Sequence, residues 1–169
     1  IDKSVVAGLI VFALIALFIL GFYRLSGLLS VVALAFYAAI VFALFKLVPV
    51  TLTLAGIAGF VLSLGMAVDA NVLIFERLRE ELKKGQPFDA AVREAFARAW
   101  NSIRDSNVSS LITCLILAWL GTSVVKGFAI TLALGIGVSM FSAIIITRLL
   151  MEIVSRVAWL RDKKWVWGG

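Results

Sequence analysis

The sequence predicts an all-α integral membrane protein: five transmembrane helices plus one cytoplasmic amphipathic helix. Three observations predict it. The 169 residues are 63% apolar and have a mean hydropathy of +1.10, against about 45–50% apolar in a soluble domain. The apolar residues gather into uninterrupted runs, the longest of which reach the roughly 20 residues that a helix needs to cross a bilayer. Charges lie mainly between the runs and at their ends, which is the membrane pattern. With most residues committed to spans, no separate soluble domain fits. The whole chain, 1–169, reads as one transmembrane domain.

The first run covers 5–22 and carries no charge. It exceeds the apolar core of a secretory signal, and no small-residue cleavage site follows it. The start at Ile1 rather than Met leads us to expect that the chain is part of something longer. Arg24, Ser26 and Gly27 mark a tight break before the second run, 28–48. Two spans joined so closely must be antiparallel neighbours. Lys46 can snorkel to the headgroups, and Pro49 stops the helix.

The third run, 52–75, contains the residue around which the chain is organised. Asp69 sits seven residues before the first charge of the cytoplasmic cluster, Glu76. At a helical rise of about 1.5 Å per residue it lies roughly 10 Å inside the membrane. Burial of an acid there costs about 2.5–3.5 kcal/mol on insertion scales, so such residues are rare and mark ion or substrate paths. Asn71 adds a second polar group. The plainer reading of Asp69 is a packing hydrogen bond to a neighbouring helix.

Small residues recur every fourth position in this run: Ala55, Gly59, Ser63, Ala67. The fifth run, 125–150, repeats the pattern with Gly127, Thr131, Gly135, Ser139, Ala143 and Thr147. The fourth, 106–123, has Ser106, Ser110, Cys114, Ala118 and Thr122. Small-xxx-small stripes let helix backbones approach closely in lipid. Runs three, four and five are therefore expected to form the inner core, with Gly59, Ser63, Gly127, Gly135 and Ser139 as packing positions and runs one and two peripheral.

A charged continuation of the third helix, Arg77 to Gln86, ends at Gly85 and Pro87. From 87 to 104 apolar residues fall on one helical face: Phe88, Ala91, Val92, Ala95, Phe96, Ala99. This amphipathic helix is expected on the membrane surface or packed under the bundle, with partner docking as a further reading. The fourth run starts with Asp105, Ser106, Asn107, Ser109 and Ser110. Asp105 or Ser106 caps the helix, or the group takes part in transport; both readings stand. The tail, 151–169, sets Arg156, Arg161, Lys163 and Lys164 among Trp159, Trp165 and Trp167. That mixture suits a membrane interface better than nucleic acid.

Basic residues orient the chain. Arg24, the seven between Arg77 and Arg104 and the five from Arg148 onward share one side, against Lys3, Lys46 and Lys126 on the other. The positive-inside rule predicts a multi-pass protein with a cytoplasmic C-terminus. Histidine is absent, which removes imidazole bases, His-containing triads and His metal sites. A lone cysteine, Cys114, allows no intrachain disulfide. No second acid pairs clearly with Asp69 in the membrane, which argues against an intramembrane protease.

Gly65-Met-Ala-Val-Asp-Ala-Asn-Val-Leu-Ile-Phe-Glu-Arg-Leu-Arg-Glu-Glu81 resembles the signature of the SecD/SecF family of bacterial protein-translocase subunits, in its SecD version: Glu76-Arg77 stands where SecF usually has Asp-Arg. Asp105-Ser-Asn-Val-Ser-Ser110 is similar to the family's Asp-x-Asn-x-Thr-Thr motif, with serines for threonines. Lys126 to Gly135, Tyr23 to Gly27 and Thr53 to Gly59 also fit. The resemblance covers nearly the whole chain and suits a separate SecD or a fused SecDF. It implies a resistance-nodulation-division type half, with a first span and a large extracytoplasmic head expected upstream. It implies a non-enzymatic role in the cytoplasmic (inner) membrane: promoting Sec-dependent export of unfolded proteins with the proton gradient, protons being the coupling ion and no cofactor being needed. Asp69 matches the acid assigned to the proton path, with its basic partner attributed to SecF; Asn71, Asp105 and Asn107 match supporting polar positions. The implied partners are SecF, the SecYEG channel, YajC, YidC and the lipid bilayer, with no nucleic acid. A proton-driven exporter half of the same superfamily and a non-transporting scaffold of the Sec channel are the alternatives.

Overall fold

The computed structural model describes residues 2–48, 53–156 and 167, and among them every regular element is helical. Helix α1 runs Asp2–Leu47, α2 Leu54–Lys83, α3 Phe88–Leu120 and α4 Ser123–Phe141; a π-helical turn, Ser142–Ile146, leads into α5, Thr147–Ser155. Four segments are long and apolar enough to cross a membrane: Leu25–Leu47, Leu54–Lys83, Phe88–Leu120 and Ser123–Ser155. A shorter apolar arm, Ile10–Tyr23, precedes them. The expected stop at Pro49 and the tail residues Trp159, Arg161, Lys163, Lys164 and Trp165 lie outside the described residues.

Helix α1 has 46 residues, which in a straight helix would reach about 70 Å, more than twice the hydrocarbon core. It does not run straight. A Cβ on Gly27 would lie 2.5 Å from the carbonyl oxygen of Ile19, whereas residues eight apart in a straight helix are separated by about 12 Å. The helix bends sharply at the Ser26–Gly27 pair, a sequence at which sharp kinks occur. Phe12 and Ile15 of the first arm then pack around Leu34, Tyr37 and Val41 of the second. Outward-facing Leu14, Leu17, Phe18 and Phe22 leave an apolar surface suited to lipid.

Thr53 caps α2 by accepting a hydrogen bond from the Gly56 backbone N–H at 3.1 Å. The helix's 30 residues span about 45 Å, so its last third, from about Glu76, projects beyond the hydrocarbon. Gly85, at φ +82°, takes the left-handed conformation that ends the helix and reverses the chain. In α3, Asp89 in the first turn meets the positive end of the helix dipole.

Two helices were expected across 87–123, but the structure has one. Nothing between Arg104 and Ser110 interrupts α3. Its polar side chains bond back onto their own helix instead of capping a new one. Ser106 Oγ and Asn107 Nδ2 donate to the Ile103 carbonyl, Ser110 Oγ to that of Ser106 and Thr113 Oγ1 to that of Ser109. Such back-bonding keeps polar groups satisfied without ending a helix. Asp105 and Ser106 are thus mid-helix, and the capping reading falls. The amphipathic half of α3 packs under the bundle. Phe88, Ala91, Val92 and Ala95 join Leu29, Phe75, Leu78, Met151 and Val154 in one buried cluster, and the Trp167 ring lies 5.0 Å from that of Phe88.

The core sits where α2 crosses α4. A Cβ on Gly59 would meet the Thr131 hydroxyl and lie 2.7 Å from the Phe128 carbonyl oxygen; one on Gly135 would meet the Ser63 side chain. Gly127 approaches the Thr53 hydroxyl in the same seam. Ser139 is buried there too. The second arm of α1 belongs to this core rather than to the periphery. Tyr37 is buried and its hydroxyl lies 2.6 Å from Ser63 Oγ, which donates to the Phe60 carbonyl. A buried phenol needs a partner, and the small residue that admits α4 supplies it. The outer part of α3 is less enclosed, with Ser106 exposed and Cys114 buried.

Over-filling this seam forces backbone shifts costing about 1–3 kcal/mol. Gly59→Val and Gly135→Val should each lose that much in reversible unfolding from mixed micelles. Gly137→Ala, where a Cβ meets nothing within 4 Å, should be near neutral.

Candidate functional site

Helix α2 presents two unlike sides. Gly59, Ser63, Ala67, Ala70, Asn71 and Ile74 are buried against the bundle. Leu62, Gly65 and Asp69 are exposed. At about 100° per residue, positions 62, 65 and 69 fall on one face. Asp69 therefore looks away from the small-residue seam, into space that this chain leaves open. It makes no hydrogen bond or ion pair with the described residues. A Cβ on Gly65, one turn earlier, would meet nothing within 4 Å.

The neighbouring surface of α3 is polar. Buried clusters join Ala70 and Ile74 to Ala99 and Ile103, and Met66 to Leu111 and Cys114. These contacts set the Asp69 turn at the level of Ser106 to Ser110. Ser106, Ser109 and Thr113 are exposed, and Ser110 is half-buried. The hydroxyls of Ser106, Ser110 and Thr113 are satisfied within α3 yet keep acceptor capacity. An intramembrane carboxylate and a row of hydroxyls thus share one region of the outer surface.

The other sequence-predicted polar residues part company with Asp69. Asn71 is two residues on, about 200° around the helix, and is buried. Its Oδ1 accepts a 2.7 Å hydrogen bond from Thr147 Oγ1, just after the π-helical turn. Asn107 is buried with its Oδ1 unpartnered. Asp105 is exposed and pairs at 2.9 Å with Arg104. Asp69 and the exposed serines lie at one level of the α2–α3 pair.

Two features escaped sequence reasoning. Thr147 stood only as one step in a stripe of small residues; an amide inside a span requires a partner, and that was the signal. Glu81 stood as one charge among many. It is buried at the end of α2, where Lys84 Nζ contacts its Oε1 at 2.7 Å and Arg98 reaches across from α3. These hydrogen bonds, that from Lys84 foremost, hold its carboxyl below the usual carboxylate range despite desolvation. The clamp lies beyond the hydrocarbon and fixes the α2–α3 hairpin, so the Asp69 and Ser106 turns keep their register.

Removing one partner of the buried Asn71–Thr147 bond tests its contribution. A double-mutant cycle of Asn71→Leu and Thr147→Val should give a coupling of about 0.6 kcal/mol, with about 1.7 kcal/mol as the upper range for such bonds. Unfolding in mixed micelles measures it.

Comparisons with known proteins bear on the family and the fold. The family described as "Protein export membrane protein SecD/SecF, C-terminal" matches residues 1–156. A protein translocase subunit SecD of Thermobaculum terrenum is 59% identical across 99% of this chain and 33% of its own length. One from Dehalococcoides mccartyi is 57% identical across 90% of this chain and 35% of its own. The crystal structure of SecDF, a translocon-associated membrane protein from Thermus thermophilus, superposes with a TM-score of 0.89 at 37% identity. It covers 93% of this chain and 22% of that one. The chain thus spans about a third of the length of these curated relatives.

Proposed function

The chain belongs to the SecD/SecF family of protein export membrane proteins, as the C-terminal membrane part of a SecD, and on that premise we propose that Asp69 couples proton movement to protein export. In this reading the full subunit sits in the inner membrane with its C-terminus in the cytoplasm. It uses the proton gradient to promote passage of unfolded secreted proteins through the SecYEG channel. SecF covers the Asp69 face, and YajC and YidC are further neighbours in the assembly.

The observation that carries the reading is the side on which Asp69 lies. A carboxylate about 10 Å deep in the membrane is costly against lipid, by about 2.5–3.5 kcal/mol. Its own chain leaves it exposed, so another protein surface or water must meet it there. The adjoining row of Ser106, Ser109 and Thr113 suits such a polar contact. An acid between two protein halves is charged when its surroundings are wet and favours the neutral form when they dry. Closing the contact over a charged Asp69 costs a few kcal/mol more than closing it over a neutral one. That difference biases a two-state bundle, because protonation then differs between the states. The tight α2–α4 seam lets α2 move with α4 as one body.

The scaffold reading also has an observation in its favour: the glycine seam holds the bundle together without any role for Asp69. The two diverge under substitution. Asp69→Asn in the complete translocase should abolish the gradient-dependent part of protein export into proteoliposomes, and Asp69→Glu should keep a measurable part. Assembly with the partner half should be unchanged in both. Full gradient stimulation in Asp69→Asn would favour the scaffold.

A further inference from the structure

A cleft of about 710 Å³ opens on the cytoplasmic side between the first half of α3 and the π-turn–α5 segment. Asp69 lines no part of it. Its inner end is apolar, formed by Ile74, Ile103 and Ala143. Ile74 lies two residues before Glu76, so this end sits at the edge of the hydrocarbon. Phe96, Trp100 and Ile144 line it as well. Tryptophan at this depth belongs to the interfacial belt. The lining also carries Asp89, Arg93, Arg148 and Glu152, all outside the apolar end. Polarity therefore changes along the cleft from oily to doubly charged, in step with the bilayer itself.

The charges at the mouth are available. Arg93 is exposed and has no ion pair among the described residues. Arg148 pairs with Glu152 at 3.3 Å, but both side chains are more than half exposed, at 57% and 54%. Exposed pairs of this kind hold weakly. Two guanidiniums and two carboxylates thus face a ligand at one site.

We propose that this cleft binds a phospholipid whose headgroup carries both a phosphate and a primary ammonium, the phosphatidylethanolamine class. Arg93 and Arg148 take the phosphate, because guanidinium forks match its oxygens. Asp89 and Glu152 take the ammonium, whose three N–H groups donate to carboxylates. An acyl chain follows Phe96, Trp100 and Ile144 into the membrane. The two carboxylates disfavour a purely anionic headgroup, and a trimethylated choline has no N–H to donate. A free phosphate has no use for the apolar end.

The full-length subunit in its complex, delipidated in detergent and returned to nanodiscs of single lipids, tests this by native mass spectrometry. Phosphatidylethanolamine should remain bound through collisional removal of other lipids. Phosphatidylcholine and phosphatidylglycerol should not. Arg93→Gln with Arg148→Gln should lower its retention by at least about tenfold, the loss expected for even one charge-assisted hydrogen bond. Asp89→Asn with Glu152→Gln should erase its preference over phosphatidylglycerol. All four side chains are at the mouth, so the variants should elute as the same monodisperse complex. Equal retention of phosphatidylcholine, displacement by inorganic phosphate alone, or a protein segment cross-linking into the cleft would each overturn the proposal.

Discussion

An ionisable group in hydrocarbon must be enclosed, hydrated or neutralised, and α2 is shaped by that demand. One side of the helix is given to close packing, and the acid is set on the other. Had Asp69 stood one residue later, at the position of Ala70, it would lie in the buried contact with α3 and the π-helical turn. It would then be fixed by its own chain. On the open side its surroundings are set by whatever docks there. The described residues therefore leave the side chain of this costly acid exposed.

The remainder of the bundle gives that residue a firm mount. Gly59 brings α2 against the α4 backbone, Gly135 makes room for the Ser63 side chain, and Tyr37 ties α1 to the same seam through Ser63. Nearer the charged end of α2, Asn71 fastens the helix to α5 beside the π-helical turn. Beyond the membrane, Glu81 fastens α2 to α3. The three ties act at three depths on one helix. These ties link α2 to α4, to α5 and to the α2–α3 hairpin. A π-turn at such a junction is the kind of local irregularity often found at working sites.

Much of this was legible in the sequence because lipid imposes simple rules. Apolar run length marked four segments long enough to span, while the first expected span, 5–22, is a shorter apolar arm among the described residues; the four-residue spacing of small side chains marked the α2–α4 seam. Other features were hidden for physical reasons. The continuity of α3 depends on hydroxyls choosing carbonyls one turn back over a cap, a local competition that composition does not decide. The place of Tyr37 in the core depends on a single partner, Ser63, far away in sequence. The side on which Asp69 lies is a matter of rotation about α2, set by which stripe α4 selects. Spacing alone gives a stripe of small residues that winds around the helix, and only the assembled bundle shows which part is used.

The central claim is that the open face of α2 is a protein contact and the small-residue face is not available to one. Single cysteines placed along α2, in the full complex lacking Cys114, measure this by oxidative cross-linking to a partner half carrying its own cysteine. Positions 62, 65 and 69 should cross-link with helical periodicity, while 63, 67 and 70 should not. Labelling of 62, 65 and 69 by a lipid-soluble maleimide, with no cross-link to any protein, would contradict the account.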